Sequence, residues 1–307
     1  MKIESRYGFF EGRVVPINDA RISILAAAVN YGIAVFEGIR AYWSPERGSM
    51  LVFRLDEHIE RLFRNGRILF MESPLSLQQL RDAIAELLKK EGFRCDTYIR
   101  PLLYKSEHEI GPKLHGLACQ LSIFSTPLDR YLNTEAGISA AVSTWRRIGD
   151  CAIPPRAKIA GSYVNASLAK TEALLSGADE AILLSEDGTV SEGTVSNLFM
   201  VRGEELITPP VTAGILEGIT RASVLRLASE LGIRTVERPI QRSELYVADE
   251  LFLCGTATEV APVIEIDRRP VGEGRPGAVT CRLRERFSEV VHGRCEEHAD
   301  WCTPIEV

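Results

Sequence analysis

The chain contains no run of the roughly 18 apolar residues that a membrane span requires, and its opening Met1-Lys2-Ile3-Glu4-Ser5-Arg6 lacks the apolar stretch of a secretory leader. A cytoplasmic protein with no membrane partner is therefore expected. The seven cysteines, Cys95, Cys119, Cys151, Cys254, Cys281, Cys295 and Cys302, include no Cys-x-x-Cys pair, so neither a disulfide framework nor a zinc site is signalled. They read as reduced packing residues. The five histidines show no metal-ligand spacing, and no metal is expected. Excess positive charge is also missing: 36 basic against 42 acidic residues give a net charge of -6, which argues against a nucleic-acid surface. There is no internal repeat and no low-complexity tract. A nucleotide-binding glycine fingerprint is absent as well, since Gly272-Glu273-Gly274 lacks the third glycine and opens no clear helix.

What remains is an ordinary globular composition, 45% hydrophobic and 25% charged over 307 residues, with room for about two domains. Gly8 to Ala20 read as short strands about the Glu11-Gly12 turn. Ile24 to Arg40 is small and apolar, broken by Gly32 and Gly38, and by periodicity is a buried helix or a strand. Asp56 is a candidate N-cap for a helix carrying Ile59, Leu62, Phe63 and Leu69, with Arg61 beside that stripe and Arg64 and Arg67 as surface charges. A second helix spans Leu77 to Glu91 and stops at Gly92. The strand Thr97–Tyr104 puts Tyr98, Arg100 and Leu102 on one face, where a phenol and a guanidinium make a ready carboxylate clamp. After the strand Leu117–Phe124, a polar connection at 125–131 marks a domain boundary.

The second half opens with a strand at Ile138–Trp145, and a helix runs from Tyr163 to near Gly177. Hairpins follow around Asp187-Gly188 and Arg202-Gly203. A helix runs from Gly218-Ile219 to Gly232, a strand at Glu250–Cys254 leads into the turn Gly255-Thr256-Ala257-Thr258, and a last helix at Val279–Val291 turns Leu283, Phe287 and Val290 inward. The tail from His292 to Val307 carries no readable signal.

Chemistry gathers around Pro154-Pro155-Arg156-Ala157-Lys158-Ile159-Ala160-Gly161. Apolar walls around Lys158 favour the neutral amine, which makes it a candidate Schiff-base nucleophile. Taken alone, a lysine snorkelling to solvent explains it as well. Three other pieces give it company: Glu192 at the end of a hairpin, the helix N-terminus at Ile219 and Thr220, and the small-residue turn at Thr256. An amine, a carboxylate and phosphate donors are the parts that hold pyridoxal phosphate.

With those residues in hand, the sequence resembles the class IV, fold-type IV pyridoxal-phosphate aminotransferases, and within them the branched-chain amino acid aminotransferases. The likeness runs from about Tyr7 to about Leu283. It is most specific from Glu192 through Asn197-Leu198-Phe199, Leu206-Ile207-Thr208 and Leu216-Glu217-Gly218-Ile219 to Arg221. It implies a two-domain α/β fold similar to D-amino acid aminotransferase. Residues 1–124 would form a small N-terminal domain, 125–135 a connection, and 136–307 a larger C-terminal pseudo-barrel, with pyridoxal phosphate between the domains.

By the same resemblance, Lys158 carries the cofactor, Tyr163 meets its phenolic oxygen, and Glu192 pairs with its ring nitrogen. Arg61, Ile219, Thr220 and Thr256 hold its phosphate. Tyr31 and Phe36 line the substrate pocket, with Tyr31 reaching into a neighbouring subunit. Tyr98 assists at the α-carboxylate, Arg100 serves the distal carboxylate of glutamate, and the Thr256 and Ala257 amides receive the substrate carboxylate. Leu128 stands where close relatives often have an aromatic residue, which alters the pocket edge, and Tyr131 is kept. The implied reaction exchanges an amino group between leucine, isoleucine or valine and 2-oxoglutarate, in a homodimer or larger homo-oligomer. D-amino acid or amine transaminases and aminodeoxychorismate lyase share the fold and rank lower, because the Tyr98-Ile99-Arg100-Pro101 pattern is foreign to them. A non-catalytic scaffold ranks lower still.

Overall fold

The computed structural model describes residues 3–128 and 135–307, which gather into two compact units. In chain order the first stretch gives strands β1 (Tyr7–Phe10) and β2 (Arg13–Pro16), helix α1 (Ala27–Tyr31), strands β3 (Ala34–Phe36), β4 (Ile39–Ser44) and β5 (Ser49–Phe53), helices α2 (Leu55–Ile68) and α3 (Leu77–Glu91), and strands β6 (Thr97–Lys105) and β7 (Cys119–Pro127). The second gives β8 (Ile138–Arg146), α4 (Tyr163–Leu175), β9 (Glu180–Leu184), β10 (Val190–Gly193), β11 (Asn197–Arg202), β12 (Glu205–Thr208), α5 (Ile219–Glu230) and β13 (Arg234–Glu237). It closes with β14 (Glu250–Gly255), β15 (Glu259–Ile266), β16 (Arg269–Pro270), α6 (Ala278–Val291) and β17 (Cys302–Glu306).

The first unit is an antiparallel sheet in the order β17-β5-β4-β6-β7-β1-β2, with β3 also on β6. Along β6 the residues Thr97, Ile99 and Pro101 are buried, while Tyr98, Arg100 and Leu102 share the half-exposed face, as alternation predicts. Strand β3 pairs with Leu102–Tyr104 and β4 with Thr97–Ile99, so the break between them falls opposite Arg100-Pro101. A proline is tolerated there because that gap asks for no N–H. Its carbonyl accepts from the Glu37 N–H at 2.9 Å.

Helix α3 forms where its periodicity places it. Ser76 and Gln79 make a reciprocal capping box, Gly92 closes the helix at φ 63°, and Leu80, Ile84, Leu87 and Leu88 are buried. Helix α2 departs from expectation at its start. Asp56 is not its cap; the helix begins at Leu55 after Arg54, which sits at φ 48°. The reason is the sheet: Phe53 still pairs with Cys302, and Arg54 N–H donates to Trp301 O at 2.6 Å, so one residue must reverse the chain.

The second unit mixes parallel and antiparallel pairing in the order β10-β9-β8-β15-β14-β11-β12-β13, with β16 on β15. The parallel pairs β8–β9 and β12–β13 are joined by α4 and α5, as crossover geometry requires. Alanines make the close contact under α4, where Ala169 and Ala173 meet Ala181 and Leu183. Leu198, Met200, Ile207, Leu251 and Leu253 anchor the main core. Leu283, Phe287 and Val290 of α6 are buried as the spacing predicts.

Residues 157–161 and 289–307 belong to the first unit, so the block 136–307 is not continuous. The tail, unreadable in sequence, forms β17 against β5, with Cys302 and Ile305 buried. Five residues containing Pro304 give no strand signal of their own; an edge position, which tolerates proline, lets them pair.

Candidate active site

In the first unit, Lys158 is held by its backbone. Its carbonyl accepts from Phe36 N–H at 3.1 Å, Ile159 bridges to Val35, and Gly161 N–H donates to Gly32 O at 3.2 Å. The last contact needs two glycines: a Cβ on Gly32 would lie 3.0 Å from Gly161 Cα. The segment therefore lies alongside β3 with its amine directed by fixed backbone. Lys158 Nζ stands 5.1 Å from the centroid of the Phe36 ring.

Below Phe36 lies a buried ionic cluster. Glu37, fully enclosed, accepts from Arg61 through Nε at 2.6 Å and Nη2 at 2.8 Å, and from His58 Nδ1 at 2.8 Å. Burial alone raises the Glu37 carboxyl, but Arg61 and the hydrogen bonds from Arg61 and His58 carry it well below the usual carboxylate range. Burial has the opposite sign on His58, pushing it below its ordinary value against the pull of Glu37. Its Nδ1 N–H donates to the ionised carboxylate. Asn65, with its amide turned to satisfy both neighbours, accepts from Lys158 N–H at 3.1 Å and donates to Arg61 O at 3.2 Å. Arg61 is therefore tied to the Lys158 backbone through one side chain, while Arg64 and Arg67 are exposed as expected.

On the half-exposed face of β6, Arg100 donates to Tyr98 Oη from Nε at 3.1 Å and Nη2 at 2.7 Å. Its guanidinium carbon is 4.4 Å from the Phe36 centroid. Gly38 makes room, because a Cβ there would stand 2.4 Å from Tyr98 Oη. Phe36 thus neighbours both Lys158 Nζ and the Arg100 clamp. Tyr31 is 40% exposed, and its hydroxyl accepts from Gly111 N–H at 3.0 Å. Leu128 is buried, with its carbonyl held by Arg40 at 3.1 Å. Tyr131 lies outside the described residues.

In the second unit, Glu192 is 5% exposed on β10. Arg147 Nη2 meets its Oε1 at 2.9 Å; Asn197 Nδ2 and Leu216 N–H donate to its Oε2 at 2.9 and 3.1 Å. Helix α5 starts at Ile219 behind the N-cap Gly218, which has no side chain to cap its amides, and Thr220 is buried. Cys254 on β14 pairs with Asn197, and the β14–β15 hairpin turns through Thr256, Ala257 and Thr258. Tyr163 opens α4, partly buried.

The Amino-transferase class IV family model matches residues 34–266. The chain belongs to the class IV aminotransferases. It is 47% identical over 97% of its length to a probable branched-chain-amino-acid aminotransferase of Aquifex aeolicus, of which 96% is covered, and 38% identical to the branched-chain-amino-acid aminotransferase of Escherichia coli K12, with 97% of each chain covered. Among solved structures it is similar to the branched-chain aminotransferase of Thermoproteus uzoniensis with norvaline, with a TM-score of 0.94, 42% identity, and 98% and 100% of the two chains covered. It is also similar to the T.th. branched-chain amino acid aminotransferase complexed with N-(5'-phosphopyridoxyl)-L-glutamate, with a TM-score of 0.93, 39% identity, and 98% and 99% covered.

This aminotransferase is a pyridoxal-phosphate enzyme of fold type IV. The residues present fit that cofactor. Gly218 at the N-cap of α5 brings no side chain to the first-turn amides, and the buried Ser196 Oγ has no hydrogen-bond partner among the described residues. Among the described residues no cluster of potential metal ligands occurs and no helix is long and apolar enough to cross a membrane. Burial pushes the Cys254 thiol up to about 12, so it packs as a neutral side chain.

Sequence reasoning missed Arg147 and the Glu37–His58–Arg61–Asn65 cluster. The cluster had a signal: His58, Arg61 and Asn65 fall at i, i+3 and i+7 on the face of α2 that carries Ile59 and Leu62, and a polar line there demands a buried counter-charge. Arg147 had none, because its link to Glu192 is made by sheet pairing.

Proposed function

We propose that this enzyme exchanges the amino group between branched-chain L-amino acids and 2-oxoglutarate, in two half-reactions. When bound, pyridoxal phosphate supplies an aldehyde that receives the amino group and a ring that draws electrons from the substrate α-carbon. Lys158 would hold that aldehyde, yield it to the substrate amine, and then carry the proton from the α-carbon. Glu192 would keep a negative charge at the ring nitrogen. Arg61, the Ile219 and Thr220 amides and Thr256 would bind the phosphate, with Tyr163 at the phenolic oxygen. Thr256 and Ala257 amides would take the substrate carboxylate.

The observation that carries the substrate reading is the Arg100–Tyr98 clamp set against the Phe36 ring. A guanidinium stacked on an aromatic wall serves a distal carboxylate, while the wall itself suits an aliphatic side chain. The T.th. relative, whose structures include complexes with N-(5'-phosphopyridoxyl)-L-glutamate and 4-methylvaleric acid, supports that dual use. Half-reactions monitored by cofactor absorbance test it. L-leucine and L-glutamate should both react and D-amino acids should not. Arg100→Ala should lower kcat/KM for glutamate by about tenfold more than for leucine; equal losses would remove the role.

A homodimer is part of the same reading. Ile24, Leu25, Val29 and Ile110 are at least half exposed beside Tyr31, which suits a subunit interface. Leu25→Asp should lower the sedimentation coefficient to that of a 34.0 kDa monomer; an unchanged value in a single-species wild type would remove that interface.

A further inference from the structure

Glu192 belongs to a closed hydrogen-bonded ring that extends well beyond a carboxylate and its counter-ion. Arg147 follows directly on β8, and its backbone N–H donates to Leu184 O at 2.9 Å, which fixes where its side chain starts. From there the guanidinium forks. Nη2 meets Glu192 Oε1 at 2.9 Å, and Nε donates to Gly214 O at 3.1 Å. Two residues on, Leu216 N–H returns to Glu192 Oε2 at 3.1 Å. Asn197 completes the ring, with Nδ2 donating both to Glu192 Oε2 and to Leu216 O, each at 2.9 Å.

The segment this ring grips is the entry to α5. Gly214 sits at φ 71°, with a Cβ position 3.7 Å from Arg147 Cγ, so the chain reverses against the arginine stem where a side chain would strain. Gly218, the N-cap, touches Asn197 so closely that a Cβ would lie 2.0 Å from Oδ1. The arginine therefore holds a carboxylate and a loop at once, with the planar fork that a lysine lacks.

We propose that Arg147, together with Asn197, is a positioning residue that sets Glu192 and the first turn of α5 as one body, so that the ring-nitrogen carboxylate and the phosphate-facing amides are spaced before the cofactor arrives. This rests on the reading of Glu192 and α5 as cofactor groups. In this reading Arg147 acts through Glu192 and Gly214, the two groups its guanidinium holds. Its work is to orient the carboxylate and to keep Gly214–Gly218 from moving independently of it.

The test uses the holoenzyme with Glu192→Gln, Arg147→Met, Arg147→Lys and the Arg147→Met/Glu192→Gln double variant. Three quantities are read: the visible absorption of the bound cofactor and its titration with pH, hydrogen exchange of the 213–219 segment, and single-turnover rates with L-leucine. Arg147→Met should shift the band in the same direction as Glu192→Gln, slow amino transfer about tenfold or more, and speed exchange in 213–219 with little change elsewhere. Arg147→Lys, which keeps charge and loses the fork, should fall between wild type and Arg147→Met. The double variant should be no slower than Glu192→Gln by more than about twofold to threefold, because the arginine acts through that carboxylate.

An unshifted band in Arg147→Met, or fully additive losses in the double variant, overturns the proposal while Glu192 keeps its role. If Glu192→Gln leaves both band and rate unchanged, the reading of Glu192 fails and the proposal falls with it. Should Arg147→Met not fold by circular dichroism, Arg147→Lys and Asn197→Ala carry the test, and wild-type spectra and wild-type exchange in both overturn it.

Discussion

Glu37 keeps a negative charge in the interior of the first unit because two nitrogens of Arg61 and one of His58 converge on it. Such a group leaves a mark on stability. The folded-state values of both Glu37 and His58 lie below their ordinary ones of 4.5 and 6.5. The unfolded chain therefore binds protons that the native state refuses, and stability is lost as pH falls. His58 acts first, from about 6.5 downward, at up to about 1.4 kcal/mol per pH unit for one proton, and Glu37 adds its share below about 4.5. Urea midpoints measured from pH 8 to pH 4 should be level above 6.5 and decline below it. In His58→Gln the decline should be displaced toward the carboxylate range. A wild-type pH profile in that variant would separate His58 from the effect.

At the scale of elements, the start of α5 is decided by a missing side chain. Gly218 is chosen less for backbone freedom, since its φ is an ordinary -71°, than for space beside Asn197. Gly218→Ala should force Asn197 away from Glu192 and Leu216, costing about 1–3 kcal/mol of stability through two lost buried hydrogen bonds. That cost should shrink when Gly218→Ala is introduced into Asn197→Ala, where the obstructing amide is gone. Thermal unfolding of the four proteins measures this, and an undiminished cost would place the clash elsewhere. The Gly32–Gly161 approach in the first unit follows the same logic, with close backbone contact seating the Lys158 segment against α1 and β3.

For the whole molecule, the candidate cofactor groups are shared out. Lys158 and Arg61 belong to one unit, and Glu192, Ile219, Thr220 and Thr256 to the other. A ligand that binds only native protein stabilises it by mass action, about 2.7 kcal/mol at a hundredfold excess over Kd. Pyridoxal phosphate should therefore raise the apoprotein's Tm, pyridoxal should raise it less because it lacks the phosphate, and Lys158→Ala should reduce the gain. An unchanged Tm in saturating pyridoxal phosphate would contradict the assignment of these groups.

The sequence alone was sufficient wherever a signal is local. Periodicity placed α3 and α6, with a glycine stop for α3, Asp187-Gly188 placed a hairpin, alternation put Tyr98 and Arg100 on one face, and the motif from Glu192 to Arg221 pointed to the cofactor. Tertiary structure decided what depends on residues distant in the chain. It set the start of α2 through the β5–β17 pairing, gave the tail a strand, buried Glu37 among α2 side chains, and brought Arg147 to Glu192. The physical reason is that a helix cap or a turn is settled by dihedral preferences over a few residues. A buried charge or an edge strand is stable only once another part of the chain arrives to satisfy it, and no short window of sequence records that arrival.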